Sequence, residues 1–186
     1  MAFYQAIPWH SGEETMHRRL HVPSQDNPTI PSLSPQAARM LQTAPLLALG
    51  TVDEQGRPWT TLWGGEPGFS QPLGNSIIGV RTPVAARYDP VVEVLVGKDA
   101  TAEVVREQGA GRMFAGLAID LRTRKRVKIY GRMVAGALGC RGADGDAESE
   151  DRQGEIQLVV KVDQSLGTVY TLFVKKRKTN MLTDCR

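Results

Sequence analysis

Apolar and polar positions alternate most clearly between Leu46 and Trp63. Leu46, Ala48 and Gly50 fall on one parity and Leu47, Leu49 and Thr51 on the other, up to Val52. A period of two marks a pleated strand with two unlike faces. Asp53-Glu54-Gln55-Gly56 then supplies turn chemistry, and Pro58 to Trp63 resumes a β-branched and aromatic run, so the stretch predicts a β-hairpin. Gly56 is the expected positive-φ position, where a side chain would be strained. The second strand carries Trp59, Thr60, Thr61 and Trp63 and opens into Gly64-Gly65-Glu66-Pro67-Gly68, a rim free of side-chain bulk that can receive a flat ligand.

The same reading extends along the chain. Ser11-Gly12-Glu13-Glu14 fits a capping box with Ser11 at the N-cap and Glu14 at N3, ahead of a helix to about Leu20. His10, Glu13 or Glu14, His17 and His21 recur there at helical spacing, but they match no zinc signature and no metal is expected. Val22 to Leu33 reads as an extended connector. Ser34-Pro35 predicts an N-cap and N1 proline for a helix to about Thr43, with Ala37, Ala38, Met40 and Leu41 as its apolar stripe over an end or edge of a sheet. Phe69 to Asn75 reads as a loop, Ser76 to Thr82 as a strand, Asp89-Pro90 as the start of a short helix to Leu95, although Val91, Val92, Val94 and Val96 would suit a strand equally well, and Ala102 to Gln108 as a helix stopped by Gly109. Met113 to Leu121 and Arg126 to Leu138 form a second hairpin about a turn near Arg122 to Lys125, and Ile156 to Val162 is a final strand. Gly139 to Gly154 is acidic, Gly-rich and aperiodic, and is expected to be a mobile loop, as are the residues after Lys175.

Composition narrows the class. A chain of 186 residues can bury one real core, and 19 glycines with 11 prolines favour many turns and a mainly β fold. Residues 1–93 carry 6 basic and 8 acidic side chains, against 17 and 12 in residues 94–186. Acidic residues interleave with this basic half and no stacking motif accompanies it, so nucleic acid is not expected as a partner. Cys140 and Cys185 form no C-x-x-C pair, the N-terminus lacks a signal pattern, and no apolar run approaches the roughly 20 residues of a membrane span. The expectation is a soluble, cytoplasmic protein with no membrane partner. Neither a P-loop, a dinucleotide fingerprint nor a Ser-His-Asp arrangement is visible, and no catalytic residue is assigned.

Three segments resemble one family. LLALGTVDEQGRPWTTLWGGEPGF (46–69), GLAIDLRTRKRVKIYGRMVAG (116–136) and the opening HSGEETMH (10–17) are similar, in that order, to the flavin-mononucleotide-binding split barrels related to pyridoxamine 5′-phosphate oxidase. The resemblance implies a six-stranded antiparallel split β-barrel at 46–167, preceded by a helical leader and connector at 1–45. It also implies FMN as cofactor in a groove between the subunits of a homodimer. By resemblance, Thr60, Thr61, Arg81, Thr82 and Arg87 are phosphate and ribityl contacts. Trp59, Thr61 and Trp63 share one face by their spacing, which must turn either to the core or to the ligand, so Trp63 is a candidate ring wall or a core residue. Arg126 and Lys128, also on one face, either shield strand ends from edge pairing or meet a phosphate or flavin edge.

The family's oxidases carry arginine where Thr61 aligns, and past Gly167 the family phrase of the type GNCPKY gives way here to TVYTLFVKKRKTNMLTDCR, an atypical basic tail at 168–186. Vitamin B6 oxidation is therefore not expected. Three classes stay open: a flavin-dependent oxidoreductase acting on a small molecule or a nicotinamide reductant, a non-catalytic flavin, haem or deazaflavin binder, and a barrel without cofactor.

Overall fold

The computed structural model describes residues 7–97, 102–107, 109, 111–140 and 154–167. The elements are α1 (Ser11–Arg19), β1 (Thr29–Ile30), α2 (Pro35–Thr43), β2 (Leu46–Val52), β3 (Pro58–Gly64), β4 (Ser70–Gly74), β5 (Ile77–Val84), α3 (Pro90–Val96), β6 (Val105–Arg106), β7 (Met113–Asp120), β8 (Lys125–Cys140) and β9 (Gly154–Gly167). The strands form one sheet in the order β3-β2-β7-β8-β9-β5-β4, with β1 added to β9 and β6 to β8, and every pairing is antiparallel.

The sheet curls until β3 meets β5, where the buried Thr82 hydroxyl donates to the Gly64 carbonyl at 2.6 Å. No ladder joins these two strands, so the barrel is split. Inside it, Leu47, Leu49, Phe114, Val127, Ile129 and Val160 supply one parity of their strands to the core. Burying each such side chain contributes on the order of 1.5–3 kcal/mol, which fixes the register because a one-residue slip would turn the whole set outward.

The helices fill what the sheet leaves open. Ser34 caps α2 through Ala37 N–H, Pro35 opens it, and Ala37, Met40 and Leu41 are buried against the sheet. Asp89 caps α3, whose Val91, Val92 and Leu95 are fully buried against β2, β3 and β8. The connector is strapped to β9 beside α2, since the Ser165 hydroxyl accepts from Ser34 N–H at 3.0 Å and donates to the Ser32 carbonyl at 2.7 Å.

Both hairpins lie at the expected positions, and Gly56 has φ +77°. Its turn is held by Asp53, which accepts from the Gln55 and Arg57 amides, the Arg57 guanidinium and the Trp59 indole. Burial opposes the Asp53 charge, but the hydrogen bonds from Trp59 and Arg57 outweigh it and lower its pKa to about 2. That contribution to stability is complete above the ordinary value of 3.8 and fades as the pH falls through 2.

Four local expectations change. Phe69 to Asn75 is not a loop throughout, because Ser70–Gly74 forms β4. Asn75 and Ser76, at φ 50° and 60°, make the two-residue turn of a type I′ hairpin, and Pro72 is tolerated because β4 is an edge strand. Val105 and Arg106 lie in a strand rather than a helix, paired with Gly136 and Ala135, since the β-branched Val105 next to an unpaired strand edge is worth more in the ladder. The first helix is capped one residue early: His10 Nδ1 accepts from Gly12 N–H at 3.1 Å, and Glu13, not Glu14, accepts from His10 N–H. Strands β8 and β9 run on to Cys140 and from Gly154, so Gly139 and Gly154 are strand residues. The rest of the acidic segment and the tail after Gly167 lie outside the described residues.

Long β8 and β9 stay paired through an irregularity in which Tyr130 faces Gln164 and Gly131 faces Val162, leaving Asp163 as the extra residue. A Cβ at Gly131 would overlap the Lys161 carbonyl, which is backbone and cannot swing away. Gly131→Ala is expected to cost about 3 kcal/mol, against about 1 kcal/mol for Gly56→Ala, whose Cβ meets nothing within 4 Å. Equilibrium urea unfolding checks this, and equal midpoints for the two variants would contradict it.

Candidate functional site

Strand β3 is the wall that gives the sheet two chemically different faces. Asp89, at the start of α3, accepts at Oδ2 from the Thr61 hydroxyl and the Trp63 indole N–H, both at 2.8 Å. Its other oxygen accepts from the Val91 and Val92 amides. One carboxylate thus turns Thr61 and Trp63 inward, and Trp63 is only 4% exposed. Trp59 shares their parity but runs past the edge of the core, 37% exposed, with Arg57 over its ring at 5.8 Å. Alternation then forces Thr60 and Leu62 outward.

On that outward face the pairing registers align two rows across five strands. One row is Thr60, Gly50, Ala115, Tyr130 and Gln164. The next is Leu62, Ala48, Leu117, Lys128 and Leu166. Adjacent rows lie about 7 Å apart along the strands and five strands span about 19 Å. The smallest residues, Gly50, Ala48 and Ala115, fall in the middle, flanked by larger side chains. The result is a shallow groove of about 790 Å³. Its walls are largely apolar, Leu62 being 58% exposed, and its polar lining includes Thr29, Thr60, Lys128, Tyr130 and Gln164. Such a surface can hold a planar, partly apolar ring with a cation and hydrogen-bonding groups at its margin.

The eight expected cofactor residues are not brought together in one chain. Thr60, Thr61 and Lys128 border the groove, Thr61 with its hydroxyl committed to Asp89. The Trp63 indole and the Thr82 hydroxyl are committed inside the protein. Arg81 lies on β5 with its guanidinium on Glu155 at 2.7 Å, and Arg87 is exposed with its guanidinium over the Tyr88 ring. Arg126 lines a different groove, against α2. Two of the three leader histidines have local roles, His10 as a cap and His17 edge-on to Trp9 at 4.6 Å.

Residues missed from the sequence are Ala48, Gly50, Ala115, Leu117, Tyr130, Gln164 and Leu166. Their signal was present in part, since Ala48 and Gly50 share the parity opposite to the buried Leu47 and Leu49.

No protein-family model matches the sequence, and no curated protein matches it significantly. Among solved structures, the chain is similar to a provisionally assigned pyridoxamine 5′-phosphate oxidase of Lactobacillus delbrueckii, with 15% identity, coverage of 73% of this chain and 93% of that one, and a TM-score of 0.41. It is also similar to an F420 reductase, with 12% identity, 71% and 98% coverage and a TM-score of 0.39. A third is the heme storage protein HutZ of Vibrio cholerae, with 14% identity, 73% and 95% coverage and a TM-score of 0.34.

Asp89→Ala removes the α3 cap and leaves a buried indole N–H and a hydroxyl without acceptors, so it is expected to cost about 3 kcal/mol. Asp89→Asn keeps an acceptor for the helix but offers an N–H₂ group to two donors, and should lie between. Denaturant unfolding monitored by Trp fluorescence tests this, and a loss below about 0.5 kcal/mol for the alanine variant would contradict the assigned role.

Proposed function

We propose that the outward groove over β3, β2, β7, β8 and β9 binds flavin mononucleotide, and that the protein is a flavin-dependent oxidoreductase acting on a small molecule or a nicotinamide reductant. The observation that carries this reading is the pair of cross-strand rows with Gly50, Ala48 and Ala115 at their centre, a flat floor bordered by Leu62, Leu117, Tyr130 and Lys128. A ring system stacks on such a floor without displacing side chains. Lys128 and Thr60 supply a cation and a hydroxyl for a phosphate or for the anionic edge of a reduced ring. When bound, the flavin supplies hydride or single-electron transfer, and the chain's part is to orient it and set the charge beside it.

The donor set fits a flavin better than a haem. Among the residues lining the groove there is no His, Cys or Met, and Tyr130 is the one side chain of a type that ligates haem iron. A phosphate dianion is more than Lys128 alone would balance. We infer that a second copy of the chain contributes the remainder, with Arg81 and Arg87, which lie away from this groove in the same chain, as the cations it would bring. A two-fold homodimer presents the same patch from each partner and would cover the exposed Leu62.

Titration of the purified protein with FMN, followed by flavin absorption and fluorescence, tests the reading. It should give binding to a species that sediments as a dimer. Lys128→Ala is expected to weaken binding about tenfold, or about 1.4 kcal/mol, without changing thermal stability. A monomer that leaves the absorption and fluorescence of high-micromolar FMN unchanged would overturn the cofactor and the assembly together. FMN binding without turnover of a reduced nicotinamide or other donor would retain the site and remove the activity.

A further inference from the structure

The sheet ends at β3 on one side and β4 on the other, and the two edges are built differently. Strand β4 is short, carries Pro72 in its middle and shifts register between Pro72 and Gly74. Proline, brevity and irregularity are means by which a sheet edge is kept from pairing with another strand. Strand β3 uses none of them within its length. It stays in unbroken register with β2 from Pro58 to Gly64, carries no charged side chain and has its proline only at the first position.

Bonds at the two ends of the β2–β3 ladder decide which main-chain groups face outward. The Arg57 carbonyl accepts from Asp53 N–H at 3.0 Å, and the Pro45 carbonyl accepts from Gly65 N–H at 3.1 Å. Bonded and non-bonded pairs alternate in an antiparallel ladder, so Trp59, Thr61 and Trp63 turn their main-chain groups to β2, and Thr60 and Leu62 turn theirs away. Among the described residues neither Thr60 nor Leu62 has a main-chain partner on that side. Their side chains are exposed as well. The row is curtailed at both ends, because Pro58 has no N–H to give and the Gly64 carbonyl already accepts from the Thr82 hydroxyl. Both stops lie three residues from Thr61.

We propose that β3 is the strand through which two copies of the chain join, its outer edge pairing antiparallel with β3 of a second copy about a two-fold axis at Thr61. In that register Thr60 exchanges both main-chain hydrogen bonds with Leu62 of the second copy, and Leu62 does the same with its Thr60. Each Pro58 then meets a Gly64, where one of the pair's bonds is lost and the ladder ends. Stops at equal distance from Thr61 make the edge complementary to itself, a symmetry from which a foreign strand would gain nothing. Asp89 holds Thr61 and Trp63 from the inner side, so the strand is ordered before a partner arrives. Thr60 and Leu62 also border the flavin groove, and the pairing sets the grooves of the two copies side by side on one continuous sheet. The inference rests on the homodimer of the proposed function and adds the strand that joins it.

Sedimentation of the full chain without FMN is expected to show a dimer at tens of micromolar. Thr60→Pro removes an outward donor and leaves the β2 ladder its bonds, so it should weaken self-association at least about tenfold with thermal melting little changed. If that variant melts early, Leu62→Lys replaces it, setting a charge against the same edge. With Cys140 and Cys185 replaced by serine, Thr61→Cys should oxidise to a covalent dimer, because non-bonded partners lie about 4.5 Å apart at Cα, within disulfide reach. Leu73→Cys, exposed on the β4 edge, should stay monomeric on denaturing gels under the same oxidation.

A dimer left intact by the edge variant, or equal crosslinking of the two cysteine variants, would overturn the pairing while leaving the homodimer. A monomer would overturn both, and FMN titration of the unchanged protein decides the cofactor separately. A monomer in which the Thr60 and Leu62 amides resist hydrogen exchange would put another segment of the chain on this edge and overturn the proposal equally.

Discussion

A single carboxylate decides how the rest of this barrel is faced. Asp89 receives two amides from the helix it caps and two side-chain donors from β3, so helix and strand are fixed against each other by one group with no spare lone pairs to speak of. Acceptance of several donors by an ionised oxygen is among the stronger hydrogen-bonding arrangements available to a protein. Its consequence reaches beyond stability. With Thr61 and Trp63 turned in, Thr60 and Leu62 turn out, and the antiparallel registers carry that choice across β2, β7, β8 and β9. The groove is therefore a projection of the core's own orientation onto the outer surface.

The two grooves differ in how charge is arranged. Over β3, β2 and β7 the floor is small and apolar, with one lysine at the margin, so it suits a ring more than an anion. Between α2 and the β7–β8 turn Arg39, Arg124, Lys125 and Arg126 line the groove and the Asp120 carboxylate is turned back on the turn that holds it. Both rest on the same hairpin, and Lys128 and Arg126, two residues apart in β8, line different grooves. Pleat parity alone placed them on one face; the curl of the sheet and the seat of α2 at its end divide them.

Much of the architecture was legible in the sequence because its signals were local. Ser34-Pro35 and Asp89-Pro90 each combine a cap with a proline at N1, and both helices start where that chemistry puts them. The alternation from Leu46 and the turn at Gly56 gave the first hairpin. Strand β4 was hidden because Pro72 reads as a breaker unless the strand lies at an edge, and β6 because two residues gain their conformation only from β8 beside them. The capping role of His10 was missed because imidazole is an uncommon N-cap, and its neighbour Ser11 is a common one. The candidate site was harder still. A row across five strands is set by registers, and registers depend on long-range pairing that no single segment of sequence contains.

The central claim is that the outward face of β3, β2, β7, β8 and β9 receives the flavin. Amide hydrogen exchange of the whole protein, with and without saturating FMN, tests it most directly. The account predicts added protection in residues 46–64 and 113–130, with the α2 segment at 35–43 unchanged. Protection confined to α2 and the β7–β8 turn, or none anywhere, would contradict it.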